Sequence, residues 1–433
     1  MISMNLHQAN AIIGGTLAGK PIQFRGISTD SRKNCNGTLF VALKGENFNG
    51  EDFCRQAIAN GAVAVLVSQA CDEDVPQIIC RDSLQSLTIL SKYWAKQSRA
   101  KIIAITGSNG KTTVKNMIYS ILRLSNKCSA TRGNLNNEIG VPLSLCAIKA
   151  DDDFAVIEMG AAQTGDISHL VSLVDIHTAV LTTLSAAHIG RFGSFENIMH
   201  EKMQIFSTLK EHDFAILPRD AENFSLLQSQ VHATIISFGK HKEADVKLKE
   251  LEALTLPVAG AHNLYNAACA KAIACACGVE QADIIKGLEN FKPASGRLEN
   301  LGKINGNTVI NDSYNANVQS FKAAIDVLAQ YEGSTTLIVG DMAELGEQTQ
   351  SSHEEIGHYA KNKNISHLLT VGTSSQKTAE VFAENSFHFT DLRQLQHYLQ
   401  QNWHDLGTIL IKGSRSMHLE KVIKGILSSE KVA

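Results

Sequence analysis

The sequence predicts an α/β protein of three domains, and three observations carry that prediction. The chain has 433 residues, more than one ordinary hydrophobic core organises. Short apolar runs rich in β-branched residues alternate with longer helix-period stretches, the pattern of parallel sheets flanked by helices. The runs are "AVAVLVS", "KIIAIT", "FAVIEM", "TAVLTTL", "FAILP", "TTLIVGD", "HLLTVG" and "TILIKGS", and "TVKNMIYSILRL" is a typical helical stretch. Finally, two breaks divide the chain: "AKQSRAK" around Ser98, and the Pro- and Gly-bearing "FKPASGRLENLGKINGN" from Phe291. Domains are therefore expected over 1–98, 99–298 and 299–433: an N-terminal α/β unit, a central parallel-sheet unit and a C-terminal Rossmann-like unit.

Composition removes several function classes. With 40 basic and 43 acidic side chains the net charge is -3, which gives no footprint for a nucleic-acid partner. "AVAVLV" from Ala62 is strand-sized rather than membrane-sized, and the N-terminus lacks a basic segment followed by a long apolar run. A cytoplasmic protein without a membrane partner is expected. The nine cysteines are scattered, and the one close pair, Cys275 and Cys277, has C-x-C spacing rather than that of a zinc or redox site. They read as reduced, mostly buried small residues. The absence of long heptad stretches makes a monomer the default.

The strand "KIIAIT", the turn "GSNG" and the helix beginning "KTTVKNM" form one unit. The full P-loop pattern needs a glycine five places before Gly110, and Ile105 stands there, so the loop is a shortened one. A glycine turn feeding a helix N-terminus still points backbone N–H groups and the positive end of the helix dipole at one place. Gly107, Ser108, Asn109, Gly110, Lys111, Thr112 and Thr113 are thus candidates for phosphate binding. Lys111 would neutralise β- and γ-phosphate oxygens, and the Thr112 hydroxyl would hold Mg²⁺. Glu158, closing "FAVIE", stands at the carboxyl edge of a strand, where α/β proteins place ligands. It could ligate Mg²⁺ directly or through water, or be an ordinary strand-end carboxylate.

Several ordered segments resemble one family, the Mur ligases, ATP-dependent amide-forming enzymes of peptidoglycan synthesis. They are "GSNGKTT", "TRGNLNNEIGVP", "IEMG", "AHIGRFGS", "EKMQIF", "GAHNLYNA", "GRLE", "NDSYNAN" and "IKGSR", and they cover nearly the whole chain. The N-terminal "STDSRKNCNGTLFVALKGENFNGEDF" resembles the family's domain for a uridine diphosphate sugar. "GNLNNEIGVPLSL" with "GDMAELG" most resembles the members that add D-alanyl-D-alanine (D-Ala-D-Ala) to UDP-N-acetylmuramoyl-tripeptide (UDP-MurNAc-tripeptide).

The resemblance implies a carboxylate joined to an amine at the expense of ATP, through an acyl phosphate, with two Mg²⁺ ions. Thr112 and Glu158 correspond to the first metal site. His188 would assist at the second, although from the residues alone it reads as a generic loop histidine. Lys202 alone reads as a solvated helix charge, and by resemblance it is carbamylated by CO₂ to become an oxygen ligand of the second Mg²⁺. That chemistry requires a neutral amine and hence a lowered pKa.

The same resemblance assigns the nucleotide to Asn263 and Asn266, three apart on one helical face, to Arg297 near a domain boundary, and to Asp312, Tyr314 and Asn315. Asn134 and Asn137 are candidates for the muramoyl substrate, with turn chemistry explaining the same letters. Ser28, Asp30, Ser31 and Arg32 are the nucleotide-sugar candidates, with a polar turn as the other reading. The chain departs from the family pattern at Val318, where a proline is usual after Y-N-A-N, and at Thr183 and Ser185, where Asn and Gly are common. A related ligase with another amine acceptor, including the folylpolyglutamate type, and a non-enzymatic nucleotide switch are the competing readings.

Overall fold

The computed structural model describes residues 1–185 and 189–429, and these build three large sheets in chain order, with a small antiparallel pair, Ser3–Asn5 and Gln23–Arg25, beside the first. The first has five strands in the order Thr16–Ala18, Gln77–Ile79, Ala64–Val67, Leu39–Val41, Ile27–Ser28. Its pairings are parallel except where Thr16–Ala18 runs against Gln77–Ile79. Helix Ser83–Gln97 covers it. The Asp82 carboxylate caps that helix by accepting from the Gln85 N–H at 2.9 Å, and Leu87 and Leu90 are buried on its inner face.

The central sheet has seven strands, all parallel: Val246–Lys247, Thr234–Gly239, Phe214–Pro218, Thr178–Leu181, Lys101–Thr106, Phe154–Glu158, Cys128–Ala130. Strand Lys101–Thr106 is buried on both faces, as its unbroken apolar run requires. Ile103 and Ile105 point into one core with helices Lys111–Leu122 and Ala261–Ala276, while Ile102 and Ala104 point into another. Alanines 267, 268, 270, 272 and 274 are fully buried and let Ala261–Ala276 lie close against the sheet and the loop helix.

The third sheet runs Glu299–Ile304, Asn307–Asp312, Thr408–Lys412, Thr335–Gly340, His367–Val371, Ser386–Phe389, with only its first pair antiparallel. The strand order turns back beside Thr408–Lys412, so Asp312 and Lys412 end neighbouring strands at a crevice. Helix Val318–Leu328 starts without the family's proline, because Asn317 and Ser320 cap each other reciprocally.

The two junctions differ in character. Helix Gly140–Ala147 of the middle unit plugs into the first: Cys146 is buried in the first unit's core with Leu143 and Ile139 packed on it. Ile2 N–H donates to the Cys146 carbonyl at 2.6 Å, and Trp94 Nε1 to the Ile148 carbonyl at 2.8 Å. No apolar cluster of the described residues spans the second and third units. Their bonds are polar: Asn317 Nδ2 donates to Asn109 Oδ1 at 2.8 Å, Gly190 N–H to the Glu344 carbonyl at 3.2 Å, and Arg191 pairs with Glu344 at 2.5 Å. Between them lies a cleft of about 990 Å³, onto which the carboxyl ends of both sheets open.

The two tryptophans, Trp94 and Trp403, report on the first and third units separately. Phe321, fully buried in the third unit, is expected to cost about 3–5 kcal/mol when replaced by alanine. In a Trp94→Phe background, the Trp403 unfolding transition of Phe321→Ala should move to clearly lower denaturant, whereas a Trp403→Phe background should leave the Trp94 transition near its original midpoint.

Candidate active site

The shortened loop is shaped by two glycines with positive φ. Gly107 (φ 147°) and Gly110 (φ 82°) adopt backbone geometry that L side chains rarely take, and a Cβ would strike the Thr182 hydroxyl at one and the Asn266 amide oxygen at the other. Residues that follow strand Thr178–Leu181 brace the loop. Ser108 N–H donates to the Thr183 carbonyl at 2.8 Å and Asn109 N–H to Thr183 Oγ1 at 3.0 Å. Ser108 Oγ and Ser185 exchange two 3.0 Å bonds, and Thr182 Oγ1 donates to the Asn109 carbonyl at 2.6 Å. Thr183 and Ser185, the departures from the family pattern, are therefore scaffold for the loop. With the Ser108 and Asn109 amides engaged, the first turn of Lys111–Leu122 offers N–H groups that have no intrahelical acceptor and are open to an anion.

Lys111 Nζ donates to the Gly107 carbonyl at 2.7 Å and lines the cleft. Burial lowers its pKa, with Glu158 opposing and Arg297 adding to the drop. Glu158 is 1% exposed and fully engaged. The Thr112 hydroxyl lies 3.0 and 3.2 Å from its two oxygens, Asn136 Nδ2 donates to Oε1 at 2.8 Å, and Lys115 Nζ lies 3.4 Å from Oε2. Burial pushes the carboxyl pKa up, but Lys115, then Lys111, then the Asn136 bond outweigh it and hold the group ionised.

Lys202 projects from helix Phe195–Met203, started by the Ser194 cap. It is buried yet borders the cleft, and among the described residues it has no hydrogen-bond or ion-pair partner. Burial first, then the positive charge of Lys111, bring its pKa down to about 7 against the opposing pull of Glu201. The preceding Glu201 faces the other way and accepts from the N–H groups of Gly165 and Ile167 at 2.7 and 2.6 Å.

The remaining nucleotide candidates line the same cleft, Asn266 against the loop itself. Asn263 and Asn266 are buried side by side, Nδ2 of the second donating to Oδ1 of the first at 3.3 Å. The Arg297 guanidinium stacks 4.1 Å from the Tyr314 ring centre. Asp312 accepts from Leu298 N–H at 3.0 Å and from Lys412 at 2.7 Å, and Lys412 also donates to the Asn315 carbonyl at 3.0 Å. All of these line the one cleft with Lys111, Glu158 and Lys202.

The donor chemistry fits a magnesium nucleotide. A hydroxyl and a carboxylate face each other, both hard oxygen ligands, and Mg²⁺ is commonly held by one or two carboxylates completed by phosphates. Among the described residues no three or more His, Cys, Asp or Glu are grouped so as to hold a metal ion by themselves, so an ion here would draw on the phosphates as well. A buried amine without an anionic partner suits addition of CO₂ at Lys202.

Family models match three successive stretches: "Mur ligase family, catalytic domain" over 23–93, "Mur ligase middle domain" over 105–274 and "Mur ligase, glutamate ligase domain" over 296–415. The chain belongs to the Mur ligase family. Curated relatives include the UDP-N-acetylmuramoyl-tripeptide--D-alanyl-D-alanine ligase of Escherichia coli (strain K12), 37% identical with 98% of this chain and 99% of the relative covered. The enzyme of the same name from Bacillus subtilis (strain 168) is 32% identical, with 99% of each chain covered. Among solved structures, MurF from Acinetobacter baumannii superposes with a TM-score of 0.88 at 31% identity over 98% of both chains. MurF from Thermotoga maritima, solved with ADP, gives 0.79 at 25% identity over 94% of this chain and 98% of that one.

Not every expected Mur ligase residue reaches the cleft. Asn137 does, its Oδ1 also accepting from Gly140 N–H at 3.0 Å, whereas Asn134 is exposed away from it. Ser28, Asp30, Ser31 and Arg32 form a separate polar turn on the first unit. There Arg32 pairs with Asp30 at 2.8 Å, holding that carboxyl well below the usual range, and Ser31 Oγ donates to Gln56 at 2.8 Å. His188 lies outside the described residues. Sequence reasoning missed Asn136, Lys115 and Lys412. Lys115 had one signal, its place four residues after Lys111 on the same helix face; Asn136 sits between the two asparagines singled out, and Lys412 lies within the quoted "IKGSR".

Lys202 also sets a stability test. Its folded pKa near 7 lies below the ordinary 10.5, so between those values the unfolded chain binds the extra proton and this residue's contribution to stability rises with pH. The burial penalty is greatest below about pH 7. In bicarbonate-free buffer, Lys202→Met should raise Tm by a few degrees near pH 6, with the gain shrinking toward pH 10. An equal gain at both pH values in thermal melts would show that Lys202 titrates normally.

Proposed function

We propose that this chain is an ATP-dependent ligase that adds D-Ala-D-Ala to UDP-MurNAc-tripeptide through an acyl phosphate, a cytoplasmic step of peptidoglycan synthesis. The observation that carries the reading is the gathering, in one cleft, of the Lys111 loop, Glu158 with the Thr112 hydroxyl bonded to it, and Lys202. The full-length likeness to enzymes named for this reaction supports it. No described helix is long and apolar enough to cross a membrane, in keeping with small-molecule substrates met in solution. We take the working unit to be a monomer, with 1–98 holding the nucleotide sugar, 99–298 the ATP and 299–433 closing over it.

The chemistry brings an anionic carboxylate up to an anionic γ-phosphate, which is unfavourable unless fixed cations screen both. Lys111, Arg297 and the first turn of Lys111–Leu122 supply positive charge that needs no rearrangement when phosphate arrives. Two Mg²⁺ ions, when bound, would supply further charge neutralisation at the transferring phosphoryl group. Thr112 and Glu158 would hold one of them. His188 and a carbamate on Lys202 would hold the other, and the lowered Lys202 pKa keeps a useful fraction of the amine neutral for that modification. Asn263, Asn266, Arg297, Asp312, Tyr314 and Asn315 frame the nucleotide. The third unit, docked through Asn317 and Glu344, limits water at the acyl group until the neutral amine of the dipeptide attacks.

Phosphate release from Mg-ATP with UDP-MurNAc-tripeptide should depend on D-Ala-D-Ala and yield the pentapeptide by mass spectrometry. Release that ignores this dipeptide but answers another amine would change the acceptor and keep the ligase; ATP binding with no release for any amine would favour a nucleotide switch. Lys111→Ala should lower the rate at least about 10²-fold, having lost a charge required in the transition state. A near-normal rate would remove the loop from the chemistry.

A further inference from the structure

Lys115 is a lysine that neither the loop motif nor the cleft accounts for. It lies one helical turn beyond Lys111, is 2% exposed and absent from the cleft wall, and its polar contacts are to protein groups. Burying an ammonium group is costly unless charge and hydrogen bonds compensate it. The Lys115 ammonium is compensated by two groups from different segments: Nζ donates to the Gly133 carbonyl at 3.1 Å and lies 3.4 Å from Glu158 Oε2. The turn that contains Gly133 also supplies Asn136, whose Nδ2 donates to Glu158 Oε1 at 2.8 Å and whose carbonyl accepts from Gly160 N–H at 2.7 Å. One carboxylate is thus held at both oxygens by the same turn, directly through Asn136 and indirectly through Lys115. That turn also carries Asn137 into the cleft.

We propose that Lys115 is a positioning residue that couples the 131–137 turn to Glu158, so that the carboxylate keeps its aim at a magnesium nucleotide only while the turn is in place. A cation that merely filled space would contact one segment; this one ties the loop helix, the strand end and the turn into a single unit. The proposal rests on the assignment of Thr112 and Glu158 to Mg²⁺ made above.

The test is calorimetric titration of ADP, with and without Mg²⁺, into the full-length wild type, Lys115→Met and Lys115→Arg. Wild type should bind ADP more tightly with Mg²⁺. Lys115→Met should lose about tenfold or more of that gain while its metal-free ADP affinity stays within about twofold, the size expected when a partner of a metal-holding carboxylate is removed. Lys115→Arg, keeping charge and donors, should recover most of it. In hydrogen exchange, Mg-ADP should protect residues 131–137 in wild type and fail to do so in Lys115→Met. An equal loss with and without Mg²⁺, no loss, or protection unchanged would overturn the proposal. If Lys115→Met does not fold, Lys115→Gln retains hydrogen-bond donors without the charge, and the same readouts decide. A wild type whose ADP affinity ignores Mg²⁺ would instead remove the metal assignment, and the coupling with it.

Discussion

The structure depends on one arrangement, a single buried carboxylate holding several cations together before any phosphate arrives. Lys115, Lys111 and Arg297 all act electrostatically on Glu158, and Arg297 disfavours the charge on both lysines. Without the carboxylate, like charges this close would drive the loop helix and its neighbours apart. With it, the loop is ready for anions, and what it lacks in negative charge is what a nucleotide provides. Lys202 borders the same cleft, where burial and the positive field of Lys111 outweigh the pull of Glu201 and no carboxylate pairs with it directly, so the arrangement that holds the loop also keeps a second lysine partly neutral.

Much of this was legible in the sequence. All eight apolar runs read as strands form strands, and all eight run parallel to a neighbour, because a run buried on both faces leaves little else for it to be. The loop and Glu158 were legible through local spelling, glycines where φ must be positive and a carboxylate at a strand's end, whereas the nucleotide candidates rested on the family resemblance. What escaped depended on distance in the chain. Asn136 matters because the 131–137 turn folds over Glu158, and no periodicity announces which of several neighbouring asparagines will face inward. Lys412 meets Asp312 across 100 residues through strand pairing alone. The residues expected to bind the nucleotide sugar lie together on the first unit, where Arg32 pairs with Asp30 and Ser31 with Gln56.

The departures from the family pattern have structural compensation. Where asparagine and glycine are common, Thr183 and Ser185 supply a hydroxyl and a carbonyl that anchor Ser108 and Asn109. At Val318, the ring that would fix the helix start is replaced by the Asn317–Ser320 cap, and the same Asn317 also reaches Asn109. One side chain therefore both begins a helix and docks its domain onto the glycine loop.

The unlike junctions have a consequence for how such a protein can be rebuilt. The first two units share an interior, since Cys146 and Leu143 of one complete the core of the other. Separating them would expose apolar surface on both, so a hybrid cut there inherits two damaged cores. The third unit keeps a complete core of its own and meets its neighbour through hydrogen bonds and an ion pair that water can replace. Recombination near residue 295 between two relatives would leave every core whole, and the last 140 or so residues would carry one wall of the cleft with them, Arg297, Asp312, Tyr314 and Lys412 included.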